Sequence, residues 1–265
     1  MKLKVILPSV IILVAIIVVL AVFSPKIQLG SKEGEALISK AALYEKQGKF
    51  VEARDAYKKA YETYLDVSIV KIAKPKMEEL NMKILFSPLV DAYSEEYTVQ
   101  AGDSLAKIAK VFGTTIELIK KSNNLASDNI RQGQRLKVVT AKFSVVVDKS
   151  QNIFLLKQND GVIKTYKVAT GANNCTPVGT FNITTKLVDP VWYKPGGAAV
   201  PPGSPENILG TRWIGLSKEG YGIHGTNDPS SLGKQATAGC VRMLNSDVEE
   251  LYSILPEGTE VTIVD

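Results

Sequence analysis

The sequence is poor in the residues that build metal and disulfide sites. Its 265 residues include one histidine, His224, and two cysteines, Cys175 and Cys240. A disulfide-stapled small domain needs more cysteines, and a structural zinc site needs four nitrogen or sulfur ligands. No glycine-rich motif opens a helix where a phosphate could be bound. We therefore expect no disulfide framework, no metal and no cofactor.

The chain also lacks a basic run with aromatic residues interleaved in it. Its net charge is +5 and its isoelectric point is about 9.0. Such a charge suits nucleic acid, anionic lipid or an anionic cell wall, but a nucleic-acid interface gathers its lysines and arginines in a patch. We therefore predict no nucleic-acid partner, and the charge does not decide between the other two.

One long apolar run stands at the start of the chain. Residues 5–23 are almost unbroken Val, Ile, Leu and Ala, and Lys2 and Lys4 precede them. About 20 such residues span a hydrocarbon core of ~30 Å. We predict that residues 1–24 form a transmembrane anchor with the basic end inside. A cleaved signal peptide is the alternative. Both place the later residues in the cell envelope, outside the cytoplasm.

Residues 31–88 are predicted to be helical. Apolar residues recur at spacings of three and four, which gives a helix one apolar face. The segment resembles a single tetratricopeptide repeat, and the matching residues are Gly48, Phe50, Ala53, Tyr57 and Ala60. A lone repeat cannot bury its faces as a longer array does. The segment is therefore either a docking module for a protein partner or a spacer.

Pro75 should interrupt the next helical stretch or begin a new helix, because proline cannot donate a backbone hydrogen bond. Ser87 and Pro88 end the helical part, and residues 91–96 are predicted to be a linker. The helical segment and the domain that follows it are thus expected to be separate.

Residues 97–139 have strand signals at both ends and two short amphipathic helices between them. Asp103 is a plausible cap for the first helix, and Thr114 or Thr115 for the second. This βααβ order and these residues resemble a LysM domain, a family that binds glycans containing N-acetylglucosamine. The resemblance implies a shallow groove between two loops. Its lining residues would be Gly102, Asp103, Ser104, Leu105, Asn124 and Ile130.

Residues 141–265 are predicted to be mainly β. Short apolar strands recur between turn signals, and residues 246–255 form the one helical stretch. This pattern favours a sandwich or closed sheet. Residues 190–205 are rich in Gly and Pro and too long for a turn, so they form a loop or lid. Gly222 and Ile223 should carry His224 to the end of a strand.

The chemistry centres on His224 and Cys240. A cysteine thiol is mostly protonated at neutral pH, so a nucleophilic cysteine needs a base beside it. His224 is the one side chain here whose ordinary pKa suits that task. The glycines between the two residues predict a looped excursion rather than a helix, which favours a site over a packed core.

This stretch resembles the motif of YkuD-type L,D-transpeptidases, which remodel peptidoglycan. The matching residues are Thr237, Gly239, Cys240, Val241 and Arg242, together with a His-Gly-Thr at His224 and the stretches Thr176–Ile183 and Asn207–Leu216. The resemblance implies a thioester on Cys240, His224 as base, and release of D-alanine before an amine of a neighbouring stem peptide completes the cross-link. Backbone N–H groups at Gly239 and Cys240 would hold the oxyanion, and a backbone carbonyl at Gly225 or nearby would orient the histidine.

The resemblance also assigns Arg242, Thr237 and Trp213 to substrate binding, although Arg242 would serve equally well in a structural ion pair. Ala238 departs from the family, in which many members carry histidine at this position. The alternatives to an L,D-transpeptidase are a non-catalytic peptidoglycan-binding adaptor and an L,D-carboxypeptidase. Cys175 has no second histidine to pair with and is expected to be a buried, inert thiol.

Overall fold

The structure, a computed structural model, describes residues 32–265. The anchor predicted for residues 1–24 lies outside this range. Among residues 32–265 no helix has the length and apolar character needed to cross a membrane. The chain forms two compact units, which divide between Leu80 and Asn81.

The first unit is helical, as predicted. It contains α1 (Lys32–Lys46), α2 (Phe50–Thr63) and the start of α3 (Val67–Leu85). Alanines at the helix contacts, among them Ala41 and Ala53, are fully buried and allow the backbones to approach closely. The resemblance to a tetratricopeptide repeat stays a prediction.

Pro75 does not begin or end a helix, so the expectation for this residue was wrong. It lies inside α3, which starts at Val67. The proline costs the helix its hydrogen bond to the Lys71 carbonyl. The helix continues because Ile69, Ala73 and Met77, spaced along one face, stay buried in the core of the unit.

The second unit begins its folded part with the predicted βααβ domain. β1 (Ser94–Thr98) pairs antiparallel with β2 (Arg135–Val139), and α4 (Leu105–Phe112) and α5 (Ile116–Ser122) lie between them. The first helix is capped by Ser104, not Asp103, because the Ser104 hydroxyl accepts from the Lys107 N–H. Thr115 caps α5 in the same way through Leu118.

The rest of the second unit is mainly β, as predicted. Its strands and helix in chain order are β3 (Phe143–Asp148), β4 (Ile153–Gln158), β5 (Gly161–Lys167), β6 (Thr170–Gly171), β7 (Gly179–Val188), β8 (Trp192–Tyr193), β9 (Ala199–Val200), β10 (Arg212–Leu216), β11 (Gly222–His224), β12 (Gln235–Thr237), β13 (Val241–Arg242), α6 (Asn245–Ile254) and β14 (Glu260–Val264). The main sheet has eight strands in the order β13-β11-β10-β7-β14-β3-β4-β5.

The long strand β7 joins the two halves of this sheet. One end of β7 pairs with β14 and the other with β10, and a register shift lies between Gly215 and Leu216 of β10. Strands of both halves and α6 contribute to one buried core, represented by Val145, Ile214 and Leu251. One half of the sheet is formed by β10, β11 and β13. His224 is the last residue of β11, and Cys240 directly precedes β13, so this half positions the candidate site.

The βααβ domain packs on this core instead of standing apart from it. Leu118 of α5 is fully buried in the same cluster as the strands of the main sheet. The Thr115 hydroxyl donates to the Ser253 carbonyl of α6. Met82 and Leu85 of α3 complete the contact. Residues 94–96 of the linker predicted before this domain belong to β1, so that linker is shorter than expected.

We expect Leu118→Ala to destabilise the mainly β part as well as the βααβ domain. Removing a fully buried leucine typically costs about 2–5 kcal/mol. Both tryptophans of the chain, Trp192 and Trp213, lie in the mainly β part, so their fluorescence during denaturant unfolding reports on it. Val111→Ala is the control, since Val111 is 78% exposed. An unchanged fluorescence midpoint in Leu118→Ala would show that the two domains unfold independently.

Candidate active site

The candidate residues share one face of three neighbouring strands. Trp213 of β10 lies directly opposite His224 of β11, and His224 lies beside Arg242 of β13. Side chains alternate along a strand, and the intervening Ile214, Ile223 and Val241 are in the core. Trp213, His224 and Arg242 therefore occupy the outer face. Cys240 directly precedes β13, and the same alternation directs it to that face.

His224 is held as a neutral imidazole. Its Nδ1 lies 2.7 Å from the Gly225 carbonyl oxygen, which can only accept, so Nδ1 carries the proton and Nε2 keeps its lone pair. The residue is 2% exposed. Burial lowers the pKa of His224 to about 4, and the charge on Arg242 acts in the same direction, while the bond to Gly225 opposes them.

The backbone after His224 is fixed by Asn245, a residue that the sequence reasoning missed. Its side-chain oxygen accepts from the N–H groups of Thr211 at 3.2 Å and Thr226 at 3.1 Å. A Cβ on Gly225 would collide with this oxygen. Asn245 is the first residue of α6, one position before the helical stretch that the sequence predicted at residues 246–255.

Cys240 and His224 are not hydrogen-bonded to each other in this structure. Its Sγ lies 3.7 Å from the carbonyl oxygen of Gly220, a residue that the sequence did not single out. Burial raises the pKa of the Cys240 thiol, while a hydrogen bond with the backbone of Gly222 and the charge on Arg242 lower it. Both the thiol and the imidazole are therefore neutral at rest. Catalytic hydrogen bonds are often absent before substrate binds.

The loop before Cys240 is braced from within. Thr237 is 6% exposed, and its hydroxyl donates to the Cys240 carbonyl at 2.6 Å and accepts from the Gly239 N–H at 3.1 Å. The Thr237 hydroxyl is thus engaged inside the loop, contrary to the substrate contact expected for it. Gly239 has a φ of +129°, and a Cβ there would lie 2.7 Å from the ring of Tyr221.

Ala238 and Arg242 differ in what surrounds them. Ala238 is exposed, so the departure from the family motif leaves no gap in the packing. Arg242 donates from Nη1 to the Ser231 hydroxyl at 3.1 Å, whereas its buried Nε has no hydrogen-bond partner within residues 32–265. Burial lowers the pKa of Arg242, and the charge on Asp228 opposes this.

Cys175 is exposed, so the expectation of a buried thiol was wrong. It lies on the turn after β6, and β6 pairs with β12 through Gly171 and Thr237. A Cβ on Gly171 would lie 2.5 Å from Cys175 Sγ. The second thiol therefore stands next to the strand that precedes Cys240, and both cysteines are free.

The segment predicted as a lid contains the small hairpin of β8 and β9. The buried side chain of Asn207 ties together the two ends of this segment. It donates to the carbonyls of Pro190 at 2.9 Å and Pro201 at 3.2 Å. Tyr193 at the hairpin is 67% exposed. The segment is thus anchored at its ends while its tip faces solvent.

The residues predicted to bind glycan have different surroundings. Leu105 is 2% exposed and belongs to the core of the βααβ domain, so its side chain is not a groove contact. Asp103 accepts from the Tyr97 hydroxyl at 2.7 Å and the Gln100 N–H at 2.8 Å, which braces the turn at Gly102. Ser104 is the helix cap already described.

Asn124 is exposed and Ile130 is half-buried. Asn124 lines a cavity of about 600 Å³ with apolar and charged side chains, which are Phe86, Ile116, Glu117, Lys120, Lys121, Leu125 and Asp128. None of these lining residues belongs to the turn at Gly102, so the structure does not join the two predicted halves of the groove in this cavity.

Among residues 32–265 no cluster of three or more His, Cys, Asp or Glu side chains could hold a metal ion. Nucleophilic chemistry by Cys240 with His224 as the base requires no metal.

Two family matches cover most of the second unit. Residues 142–263 match YkuD, the L,D-transpeptidase catalytic domain, and residues 97–139 match the LysM domain. The YkuD protein of Bacillus subtilis (strain 168), named as an L,D-transpeptidase, is 36% identical over 174 residues, which are 63% of this chain and 97% of that protein. YqjB of the same organism, also named as an L,D-transpeptidase, is 41% identical over 127 residues, 46% of this chain and 70% of that protein.

We expect Gly225→Ala to destabilise the fold, because the new methyl group has to displace Asn245. Overpacking of this kind costs about 1–3 kcal/mol. Gly161→Ala is the matched control, since the nearest atom to its Cβ would be the Gln158 carbonyl oxygen at 3.8 Å. The free energies of unfolding of both variants, measured by circular dichroism in denaturant, test the brace. Equal stability of the two variants would contradict it.

Proposed function

The chain belongs to the YkuD family of L,D-transpeptidases and carries a LysM domain, and we propose that it cross-links peptidoglycan through a thioester on Cys240. The observation that carries the proposal is the shared outer face of β10, β11 and β13, to which His224, Arg242 and Cys240 are directed. A nucleophile, a base and a cation on rigid strands are the groups that acyl transfer needs.

The first step is proton transfer from the thiol to His224. The bond from Nδ1 to Gly225 leaves Nε2 free to accept. Cys240 turns away from the Gly220 carbonyl, because a carbonyl oxygen can accept from a thiol but repels a thiolate. The raised thiol pKa and the lowered imidazole pKa both disfavour the ion pair before substrate binds. The thiolate therefore forms only once substrate is bound, and it attacks at once.

The thiolate sulfur then bonds to the carbonyl carbon of a stem peptide, and the carbon–nitrogen bond to the terminal residue breaks. The imidazolium of His224 returns its proton to the leaving amine. By family resemblance the leaving residue is D-alanine. The amine of a diamino acid in a neighbouring stem then attacks the thioester carbon, and neutral His224 takes the proton that this amine loses. The carbon–sulfur bond breaks, the cross-link is complete, and His224 returns the proton to the departing Cys240 thiolate. A lipoprotein lysine, a free D-amino acid and water are the other acceptors.

The oxyanion requires backbone N–H donors beside the attacking sulfur. The Gly239 N–H is engaged by Thr237, so the Cys240 N–H is the donor that we assign first. Arg242 is suited to the carboxylate of the stem, since its guanidinium is planar, permanently charged and can donate two parallel hydrogen bonds. Thr237 acts through the loop, by holding Gly239 and Cys240 in place.

An intact site favours an active enzyme over a non-catalytic adaptor. The one observation in favour of a non-catalytic adaptor is Ala238, which departs from the family motif. That side chain is exposed to solvent, so the departure leaves the packing of the site unchanged. The residues that chemistry needs, Cys240 and His224, are both present and lie at the ends of paired strands. A carboxypeptidase would use the same groups with water as the acceptor, so product analysis separates it from a transpeptidase.

We propose that the LysM domain holds the enzyme on glycan strands. The exposed Asn124 and the backbone of the turn at Gly102 are the contacts that remain available, since Leu105 is buried and Asp103 and Ser104 brace their own loop. The domain adds no catalytic group. Its deletion is a poor test, however, because Leu118 is part of the catalytic core.

The sites outside the second unit are assigned from the sequence. We propose that the apolar residues 5–23 anchor the protein in the membrane with its domains in the envelope. The helical unit is proposed as the contact for a protein partner. Membrane fractionation of the full chain, with and without residues 1–24, tests the anchor.

We expect Cys240→Ser to lose the adduct that wild-type protein forms with a carbapenem, because a serine hydroxyl needs much stronger activation than a thiol. Intact-protein mass spectrometry measures the adduct directly. Cys175→Ser is the matched control and should form the adduct fully. Wild-type protein that stays unmodified would remove the proposed mechanism, and an adduct on Cys240→Ser would move it to another residue.

We expect Asn124→Gly to weaken binding to purified sacculi several-fold while leaving turnover of soluble stem peptides unchanged. Glycine accepts the φ of +54° at this position, so only the side chain is lost. Asn159→Gly, at a hairpin turn with a φ of +50°, is the matched control. Co-sedimentation over a dilution series gives the affinity. Equal sedimentation of the two variants would contradict a glycan contact at Asn124.

A further inference from the structure

Trp213 covers His224 on the outer face of the sheet. The two residues are directly opposite each other on β10 and β11. Their ring centroids are 6.0 Å apart and the ring planes differ by 18°, so the rings are stacked. Residues opposite each other on paired strands extend to the same side of the sheet. The indole is therefore the neighbour of the imidazole on the side away from β13.

Two glycines make room for the indole. A Cβ on Gly222 would lie 2.6 Å from Cζ2 and 2.7 Å from Cη2 of Trp213, and a Cβ on Gly215 would lie 2.9 Å from its Nε1. Gly215 and Gly222 face each other in the same strand pair. The ring thus lies flat against the backbone of both strands. Any larger residue at either glycine would lift it away from the sheet.

The surroundings of His224 contain few groups that could stabilise a charge on it. Arg242 of β13 is the cation beside it, and the thiol of Cys240 precedes Arg242. The Gly225 carbonyl accepts from Nδ1, and Asn245 of α6, which braces that backbone, is uncharged. On the remaining side the indole offers an apolar surface. Loss of the indole would admit water to the imidazole.

We infer that Trp213 is a positioning residue for the base: it keeps the His224 imidazole dry, neutral and fixed in its plane, and it is not primarily a substrate contact. This inference deepens the proposed function and rests on it, because a neutral base is needed only if His224 deprotonates Cys240. A protonated imidazole cannot accept the thiol proton.

The inference is tested by titrating His224, the one histidine of the chain. Untagged protein with isotope-labelled histidine gives a single imidazole signal, and its shift against pH gives the pKa without any assay of activity. Wild-type protein should titrate near pH 4, and Trp213→Ala should titrate at least one unit higher, toward the ordinary value of 6.5. Trp213→Phe should stay near wild type, because a flat apolar ring still covers the imidazole.

Two further measurements make the result specific. Trp192→Ala removes the other tryptophan and should leave the His224 titration unchanged. In Trp213→Ala the rate of Cys240 acylation by a carbapenem should fall as the pH drops from about 7 to about 5, because the base becomes protonated in that interval. Over the same interval His224 of the wild type stays neutral, so its rate should not show this loss.

The outcomes separate the inference from the proposed function. If wild-type Cys240 does not acylate, the function fails while the titration can still be measured. If Trp213→Ala titrates as wild type does, the inference is overturned whether or not the enzyme is active. Should Trp213→Ala unfold, Trp213→Gln fills more of the space with a polar side chain, and it should raise the His224 pKa in the same direction as Trp213→Ala.

Discussion

The alternation of side chains across β10, β11 and β13 is the constraint on which the catalytic site depends. Every second residue of these strands is buried in the core, and Ile214 and Ile223 are fully covered. The residues between them, Trp213 and His224, are therefore held on the outer face by the packing beneath. The same packing that stabilises the sheet thus sets the direction of His224, and Cys240 shares that face because it stands two residues before Arg242 of β13.

Close backbone approach is the second requirement, and it explains the density of glycines near the site. Gly225 leaves room for the Asn245 oxygen, and Gly215 and Gly222 leave room for the Trp213 ring. Each glycine admits a group that either holds or covers His224. Such close packing buries the two residues. Burial raises the pKa of the Cys240 thiol and lowers the pKa of the His224 imidazole, so both groups are neutral at rest. A substrate that completes the site supplies the charge stabilisation that the resting enzyme lacks.

Packing also joins the glycan-binding domain to the catalytic one. Leu118 is buried in the catalytic core, and Thr115 donates to the Ser253 carbonyl. A domain held in this way presents its surface at a fixed position relative to Cys240, whereas a domain on a flexible linker would sample many positions. We expect this arrangement to favour stem peptides close to the glycan strand that the LysM domain is proposed to bind, and to make the stability of one domain depend on that of the other.

The sequence by itself determined the element types, the order of the domains and the two residues on which the proposed chemistry depends. Short apolar runs between turn signals predicted a mainly β domain at residues 141–265, and the single histidine and the motif at Cys240 led to the family. These signals are local, so they can be read without a fold. Only the tertiary structure decided what surrounds each residue. It buried Leu105 and Thr237 and exposed Cys175. It also placed the Asn245 side chain against the backbone after His224, and Trp213 on the imidazole. Such contacts join residues that are far apart in the chain, and these residues become neighbours only after the sheet has formed.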